Sequence, residues 1–121
     1  MKADTPNFIL LDTNAIIYAI EKKIRLEDAV IEIPGVSRPA VPYCVIRELY
    51  GLAKKNVTAR IAYQYAKKLE IIETDKYGDD GVIEAAMKTG AMVLTNDERL
   101  SRRLRETGIK VAMISGRKIL F

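Results

Sequence analysis

The chain has 121 residues, 49% of them hydrophobic and 30% charged, a composition typical of a folded globular protein, and we treat residues 1–121 as one domain. It contains no histidine and a single cysteine, Cys44, which excludes catalysis by a histidine base, an intramolecular disulfide and zinc sites built on imidazole. The net charge of +4 is compatible with an anionic partner but does not identify one.

Strands and helices are predicted to alternate along the chain. Residues 8–11 are wholly apolar, which is typical of a strand buried on both faces, and a helix capped by Asp12 or Thr13 is expected to run to about Lys22. The further predictions are a short helix at 26–33, an extended segment at 38–42, helices at 43–54 and 58–70, a strand at 71–74, a helix at 80–88, a strand at 91–94, a helix at 98–106 and a final strand at 110–114. This alternation predicts an α/β fold, a three-layer sandwich in which helices flank a mostly parallel sheet.

No segment has the character of a membrane anchor. Asp12 and Asn14 interrupt the longest apolar run well before the roughly 20 residues that a membrane-spanning helix needs. The first residues, Met-Lys-Ala-Asp-Thr-Pro, lack the apolar segment of a signal peptide. We therefore expect a cytoplasmic protein.

Acidic side chains lie where the predicted strands end and helices begin. Asp12 follows the first strand directly, Asp97 follows a later strand, and the pair Asp79 and Asp80 opens a helix. Glu48 lies in the third helix, about 40° outside the apolar arc of its helical wheel. Because ligands of parallel α/β sheets bind beyond the carboxyl ends of the strands, these acids could converge on one rim of the sheet.

Each of these acids also has a purely structural explanation. Asp12 and Asp80 could cap helices, Asp97 could belong to the capping box formed by residues 95–98, and Glu48 could be an exposed helix residue. If the acids do converge, however, their mutual repulsion requires a cation. With no histidine available, magnesium or manganese fits such a site better than zinc, and these ions support phosphodiester hydrolysis.

Four segments resemble, in order, the motifs of the PIN-domain family. They are Leu-Leu-Asp12-Thr13-Asn14, Val-Ile-Arg-Glu48-Leu, Asp80-Gly-Val-Ile-Glu-Ala-Ala and Thr95-Asn-Asp97. The alternating elements match that family over nearly the whole chain. The resemblance implies a metal-dependent endoribonuclease that uses magnesium or manganese. The chain looks most like archaeal stand-alone PIN proteins, which are similar both to VapC-type toxins and to PIN nucleases that process ribosomal RNA.

The resemblance also assigns roles to individual residues. The catalytic and metal-binding carboxylates would be those of Asp12, Glu48, Asp80 and Asp97, with Asp79 as a substitute or a fifth ligand. Asp80 is preferred over Asp79 because the segment Gly-Val-Ile-Glu-Ala-Ala follows it directly. The hydroxyl and amide groups that would hold these carboxylates in place are those of Thr13, Asn14 and Thr95.

Basic and aromatic residues near these motifs fit an RNA substrate. Arg99 and Arg102 are expected to bind RNA phosphates, which supplies affinity with little sequence preference. The tyrosines from Tyr43 to Tyr77 could stack on bases, but their helical spacing favours core or dimer contacts for most of them. The resemblance further implies a homodimer, for which we expect the helices of residues 43–69 as the interface, and a toxin would have an antitoxin protein as its partner.

Three other functions fit parts of the pattern. A receiver-type phosphoacceptor domain would need adjacent acids after the first strand, where Asp12 stands alone. A haloacid-dehalogenase-type phosphatase would need Asp-x-Asp, but the third position is Asn14. A PIN fold that only binds RNA or protein is the stronger alternative, and the presence of all four acids favours an enzyme over it.

Overall fold

Strands and helices alternate along the chain in the computed structural model, which describes residues 6–121. Within that range the six strands are β1 (Phe8–Leu11), β2 (Arg38–Pro42), β3 (Glu70–Ile72), β4 (Val93–Leu94), β5 (Val111–Ser115) and β6 (Lys118–Leu120). The six helices are α1 (Thr13–Lys22), α2 (Leu26–Val30), α3 (Tyr43–Ala53), α4 (Val57–Ala66), α5 (Gly78–Thr89) and α6 (Glu98–Glu106). The predicted α/β fold, with helices flanking a central, mostly parallel sheet, is confirmed.

The strands form one sheet in the order β3-β2-β1-β4-β5-β6, in which every neighbouring pair is parallel except β5 and β6. The chain leaves β1 towards β2 and β3 on one side, then returns to add β4 and β5 on the other. The strand order therefore reverses between β1 and β4, where Leu11 is in register with Leu94. Ligands of such sheets bind beyond the strand ends at this point, and the next residues there are Asp12 and Thr95.

The core surrounds the central strands. All four residues of β1 are buried, because β2 and β4 pair with its edges and helices cover its faces. Helix α3 buries Val45 and Leu49, and α6 buries Leu100 and Leu104 while its charged residues stay on the outside. Each of these aliphatic side chains contributes about 1.5–3 kcal/mol by leaving water, so the two helices are held firmly against the sheet.

The sequence pattern does not predict β6, which pairs antiparallel with β5. A two-residue turn joins the two strands, and Gly116 at its first position has a φ of +62°. A type II′ hairpin turn requires this left-handed conformation at that position, and glycine adopts it without strain. Gly116, directly after the last predicted strand, was the signal from which the hairpin could have been inferred.

Two helices end earlier than their sequence pattern predicts. Helix α2 stops at Val30, and residues 31–33 continue as hydrogen-bonded turns before Pro34. Helix α4 stops at Ala66 because Glu70, which falls inside the predicted helix, belongs to β3 and pairs with β2. In both cases the apolar periodicity runs on past the point at which the backbone leaves the helix.

The membrane and leader predictions concern different parts of the chain. In residues 6–121, no helix is both long and apolar enough to cross a membrane. The first five residues, on which the expectation of a missing signal peptide depends, lie outside the described range.

Candidate active site

Asp12 lies at the carboxyl end of β1 and caps α1. Its carboxylate is nearly enclosed, with only 6% of the residue exposed. Oδ1 accepts a hydrogen bond of 2.8 Å from the backbone N–H of Thr13, and Oδ2 accepts one of 2.8 Å from the hydroxyl of Thr95. Because β1 and β4 are adjacent and in register, the residue after each strand reaches the other directly. Asp12 is therefore fixed by hydrogen bonds to both of its carboxylate oxygens.

The Thr95 hydroxyl links Asp12 to the start of α6. It donates to Asp12 and accepts a hydrogen bond of 3.0 Å from the backbone N–H of Asp97. Asp97 in turn caps α6, since its Oδ1 accepts from the backbone N–H of Leu100 at 2.9 Å. Asp97 itself is therefore the N-cap of α6, whereas a capping box of residues 95–98 would place Thr95 at that position. The second carboxylate oxygen of Asp97 is not needed for the cap.

Asn96 fixes the same loop to β5, a function that the sequence analysis did not assign to it. Its side-chain amide donates to the carbonyl of Ile114 and its side-chain oxygen accepts from the N–H of Ile114, both at 2.7 Å. These two hydrogen bonds have the pattern of a backbone pairing between neighbouring strands, and they lie just beyond the end of β4. An asparagine between Thr95 and Asp97 was the only signal in the sequence, and alone it does not predict the partner.

Glu48 is connected to the same cluster through α1. The hydroxyl of Thr13 donates a hydrogen bond of 2.8 Å to Oε1 of Glu48, which joins α1 to α3 above the strand ends. Glu48 is exposed, and its negative charge raises the pKa of the buried Asp12. Asn14, by contrast, is exposed and forms no side-chain hydrogen bond with any residue in the range 6–121.

The two acids at the start of α5 have different surroundings. Asp79 is half-buried and close enough to Asp12 to raise the pKa of the Asp12 carboxyl. Asp80 is exposed and forms an ion pair of 2.6 Å with Arg103 of α6, which lowers the pKa of Asp80. The structure therefore brings Asp79 towards Asp12, whereas Asp80 contacts the neighbouring helix.

The surroundings of Asp12 disfavour the ionised form of its carboxyl group. The pKa of Asp12 is raised to about 6, mainly by burial and to a smaller extent by the negative charges of Glu48 and Asp79, and the hydrogen bonds from Thr95 and Thr13 offset only part of this effect. The donors at the cluster are carboxylate and hydroxyl oxygens, which suit a hard divalent cation. Within residues 6–121 no three acidic side chains are already arranged to hold one ion, so binding would require a carboxylate to turn inwards.

A close approach of α3 and α5 brings these acids together. Cys44 of α3 is buried, and its backbone N–H donates to the Thr74 hydroxyl at 3.0 Å. A Cβ atom on Gly81 would lie 2.5 Å from the Cys44 sulfur and 2.6 Å from the Lys76 carbonyl oxygen. Only glycine fits at this crossing, which the sequence analysis did not identify.

Arg99 and Arg102 both lie exposed on α6. Arg102 lines a shallow surface cavity that also includes Thr95 and Asp97. In the described part of the chain neither arginine forms an ion pair, whereas Arg103 is paired with Asp80. The positive charge of Arg102 is thus available in the same cavity as Asp97.

Comparisons with known proteins agree with this geometry. A family model described as a PIN-like domain matches residues 9–117. The chain is 34% identical to Ribonuclease VapC9 of Archaeoglobus fulgidus over 117 residues, which cover 93% of this chain and 86% of that protein. It is 29% identical to the rRNA-processing protein FCF1 of Saccharomyces cerevisiae over 119 residues, which cover 92% of this chain and 61% of FCF1.

Solved structures show the same fold. The PIN domain endonuclease Utp24 matches with a TM-score of 0.82 and 28% identity, covering 96% of this chain and 91% of that one. VapBC2 from Rickettsia felis, solved bound to a DNA fragment from its promoter, matches with a TM-score of 0.65 and 19% identity, over 89% of this chain and 99% of that one. At that identity the second likeness concerns the fold alone. The chain belongs to the PIN-like domain family of nucleases.

Proposed function

We propose that this chain is a metal-dependent endoribonuclease that hydrolyses RNA phosphodiester bonds at the carboxyl ends of β1 and β4. The observation that carries the proposal is the enclosed carboxylate of Asp12, whose pKa is raised by neighbouring acids, while no lysine or arginine of residues 6–121 lowers it. A buried aspartate whose pKa is raised in this way indicates a site for a divalent cation rather than a purely structural role.

Asp12, Glu48 and Asp97 would hold magnesium or manganese, together with an acid from the start of α5. For that fourth carboxylate the proximity of Asp79 to Asp12 favours Asp79, while Asp80 is engaged with Arg103. A bound divalent ion supplies Lewis-acid chemistry, since it lowers the pKa of water and neutralises charge on a phosphate.

The protein's own residues orient the reacting groups. Thr13 and Thr95 hold Glu48 and Asp12 at fixed angles, because each hydroxyl donates to one carboxylate oxygen at 2.8 Å. Asn14 lies next to Thr13 on the exposed side and is proposed to support the same cluster from there. Arg99 and Arg102 would bind phosphates of the RNA that flank the one being cut.

The biological role is proposed as one of two. The likeness to Ribonuclease VapC9 supports the toxin of a toxin–antitoxin pair, with an antitoxin protein as its partner. The likeness to the rRNA-processing protein FCF1 supports an RNA-processing nuclease. Both roles use the same site in a cytoplasmic protein, and we propose a homodimer through the helices α3 and α4. The alternative function is a catalytically weak PIN fold that binds RNA or protein.

The test is cleavage of a labelled single-stranded RNA in the presence of manganese, magnesium or a chelator. Asp12→Asn and Asp97→Asn are compared with wild type and with a matched control, Asp28→Asn, which alters an exposed acid on α2 that pairs with Arg25. We expect cleavage that requires the metal, disappears in both site variants and persists in the control.

Two outcomes would overturn the proposal. Cleavage that survives both site variants would show that another enzyme or another site is responsible. Absence of cleavage together with unchanged manganese binding in Asp12→Asn would remove the carboxylate site and leave the binding-module alternative.

A further inference from the structure

A cluster of exposed aromatic and cationic side chains lies on the two chain segments that also supply acids to the candidate active site. Tyr43 and Arg47 are on the first two turns of α3, and Tyr77 directly precedes α5. Arg47 is the residue before Glu48, and Tyr77 is two residues before Asp79, so the cluster shares its two segments with these acids. We call Tyr43, Arg47 and Tyr77 the stacking platform.

The guanidinium group of Arg47 lies against the rings of both tyrosines of the stacking platform. The guanidinium carbon of Arg47 lies 4.6 Å from the centre of the Tyr77 ring and 6.0 Å from that of the Tyr43 ring. Its Nη1 also donates a hydrogen bond of 3.1 Å to the Tyr77 hydroxyl. Tyr77 is nevertheless 63% exposed and Tyr43 is 38% exposed. The two tyrosine rings thus remain accessible to solvent, although their contacts with Arg47 already hold them in place.

The backbone just before Tyr77 is held in place by a side chain of α5. Glu84 of α5 accepts hydrogen bonds from the backbone N–H groups of Asp75, at 3.0 Å, and Lys76, at 2.9 Å. The contact of Gly81 with Cys44 fixes the start of α5 against α3. The ring of Tyr77 is therefore presented by a supported segment, which reduces the entropy that a ligand would have to remove.

Helix packing does not account for the stacking platform. Tyr50 and Tyr63, in contrast, pack on each other between α3 and α4 with ring centres 5.5 Å apart, which is a helix–helix contact. Tyr77 has no such aromatic partner in the described part of the chain, and Arg47 forms no ion pair with a carboxylate there. An uncompensated guanidinium between two open rings matches an anionic ligand that carries flat groups.

We propose that the stacking platform binds one unpaired base of an RNA strand whose neighbouring phosphate lies at the carboxylates, and so selects single-stranded RNA. This inference rests on the proposed nuclease function. Aromatic rings and arginine planes stack on any unpaired base, whereas the bases of a duplex are stacked on each other and closed to such contacts. The positive charge of Arg47 adds attraction to the RNA backbone beside a cluster that is otherwise acidic.

Steady-state cleavage of single-stranded RNA by the full chain provides the first test. Tyr77→Ala should raise KM by roughly 5- to 100-fold, the loss expected for one stacked base, with kcat within about twofold of wild type. Tyr77→Phe keeps the ring and should retain KM, and Arg47→Gln should raise it. The matched control is Phe121→Ala, which removes an equally exposed ring, 64% against 63% for Tyr77, beside Gly108 and Lys110.

Binding without cleavage provides the second test. In an Asp12→Asn background, an oligonucleotide carrying 2-aminopurine should lose fluorescence on binding, because stacking quenches that base. The quenching should disappear with Tyr77→Ala and persist with Tyr77→Phe, and circular dichroism would show that both variants are folded.

The outcomes separate this inference from the proposed function. Cleavage with unchanged KM and unchanged quenching in folded Tyr77→Ala would overturn the stacking platform and leave the nuclease intact. Tyr77-dependent quenching without metal-dependent cleavage would support the platform and overturn the nuclease. If Tyr77→Ala instead changed the mass of the protein in solution with KM unaffected, the surface would be an interface between copies of the chain, which also overturns the inference.

Discussion

The ionisation of a single carboxylate, that of Asp12, makes the stability of the metal-free protein depend on pH. Its pKa is about 6 in the folded chain against 3.8 for an ordinary aspartate, and burial is the main cause. Between these two values the folded protein keeps a proton that the unfolded chain releases. The folded state is therefore favoured at the acidic end of this window and loses that advantage as the pH rises.

We expect the free energy of unfolding in chelator to fall by up to about 3 kcal/mol, relative to Asp12→Asn, between about pH 4 and pH 6. The asparagine does not ionise, and the Thr95 hydroxyl can accept from its amide as readily as it donates to the carboxylate. Urea denaturation of both proteins across this range measures the difference. Parallel pH profiles would show that Asp12 titrates normally and that the site needs no counter-charge.

At the scale of elements, the crossing of α3 and α5 decides whether acids from different segments meet. Gly81→Ala should destabilise the protein by about 1–3 kcal/mol, because its new Cβ would overlap the Cys44 sulfur and the Lys76 carbonyl. It should also lower the rate of cleavage by moving the start of α5 away from Asp12. Thermal and urea unfolding measure the first effect, and the RNA assay measures the second.

The matched control for this crossing is Gly51→Ala in α3, where an added Cβ would meet nothing within 4 Å. Alanine is favoured over glycine inside a helix, so this variant should be more stable by about 0.5–1 kcal/mol. If both variants behaved alike, the close packing at Gly81 would not be what holds the two helices together.

The first turn of α5 offers a second prediction at this scale. Asp79→Asn should weaken manganese binding by roughly tenfold or more, whereas Asp80→Asn should change it far less, because Asp80 contacts Arg103 and not Asp12. Isothermal titration calorimetry with each variant measures the affinity. The opposite ranking would mean that Asp80 leaves its ion pair and acts as the ligand, as the motif resemblance favours.

Particular elements show how far the sequence predicts this architecture. Apolar strands such as residues 8–11 and capped helices such as residues 98–106 are predicted at their observed bounds, since local pattern and burial agree there. The hairpin strand β6 and the early end of α4 depend on pairing between distant segments, which local pattern does not contain.

The candidate site divides in the same way. The pairing of β1 with β4 brings Asp12 beside Thr95. This part of the site can be predicted from the sequence, because ligands of parallel sheets bind beyond the carboxyl ends of the strands. The directions of Asp79 and Asp80 depend on the contact of α5 with α3 and α6. Neighbouring residues of a helix point about 100° apart, and only tertiary packing decides which of the two faces the site.

At the scale of the whole molecule, metal binding and folding should be coupled. The acids of the cluster come from four separate segments, around β1, α3, α5 and β4, so a complete set of ligands exists only in the folded chain. An ion that binds this set and not the unfolded protein stabilises the fold by mass action, by about 2.7 kcal/mol at a concentration 100 times the Kd. It would also remove the penalty that burial imposes on the ionised Asp12.

Wild-type protein at pH 7 should therefore show a Tm that rises progressively with manganese or magnesium, by several degrees at saturation for a chain of this length. The control variant Asp28→Asn should show the same rise, because its exposed acid pairs with Arg25 away from the cluster. Asp12→Asn should begin with a higher Tm in chelator, since no buried charge opposes folding, and should respond little to the metal. A Tm in Asp12→Asn that rises with manganese as steeply as in wild type would place the bound metal elsewhere on the protein and remove the link between Asp12 and the proposed site.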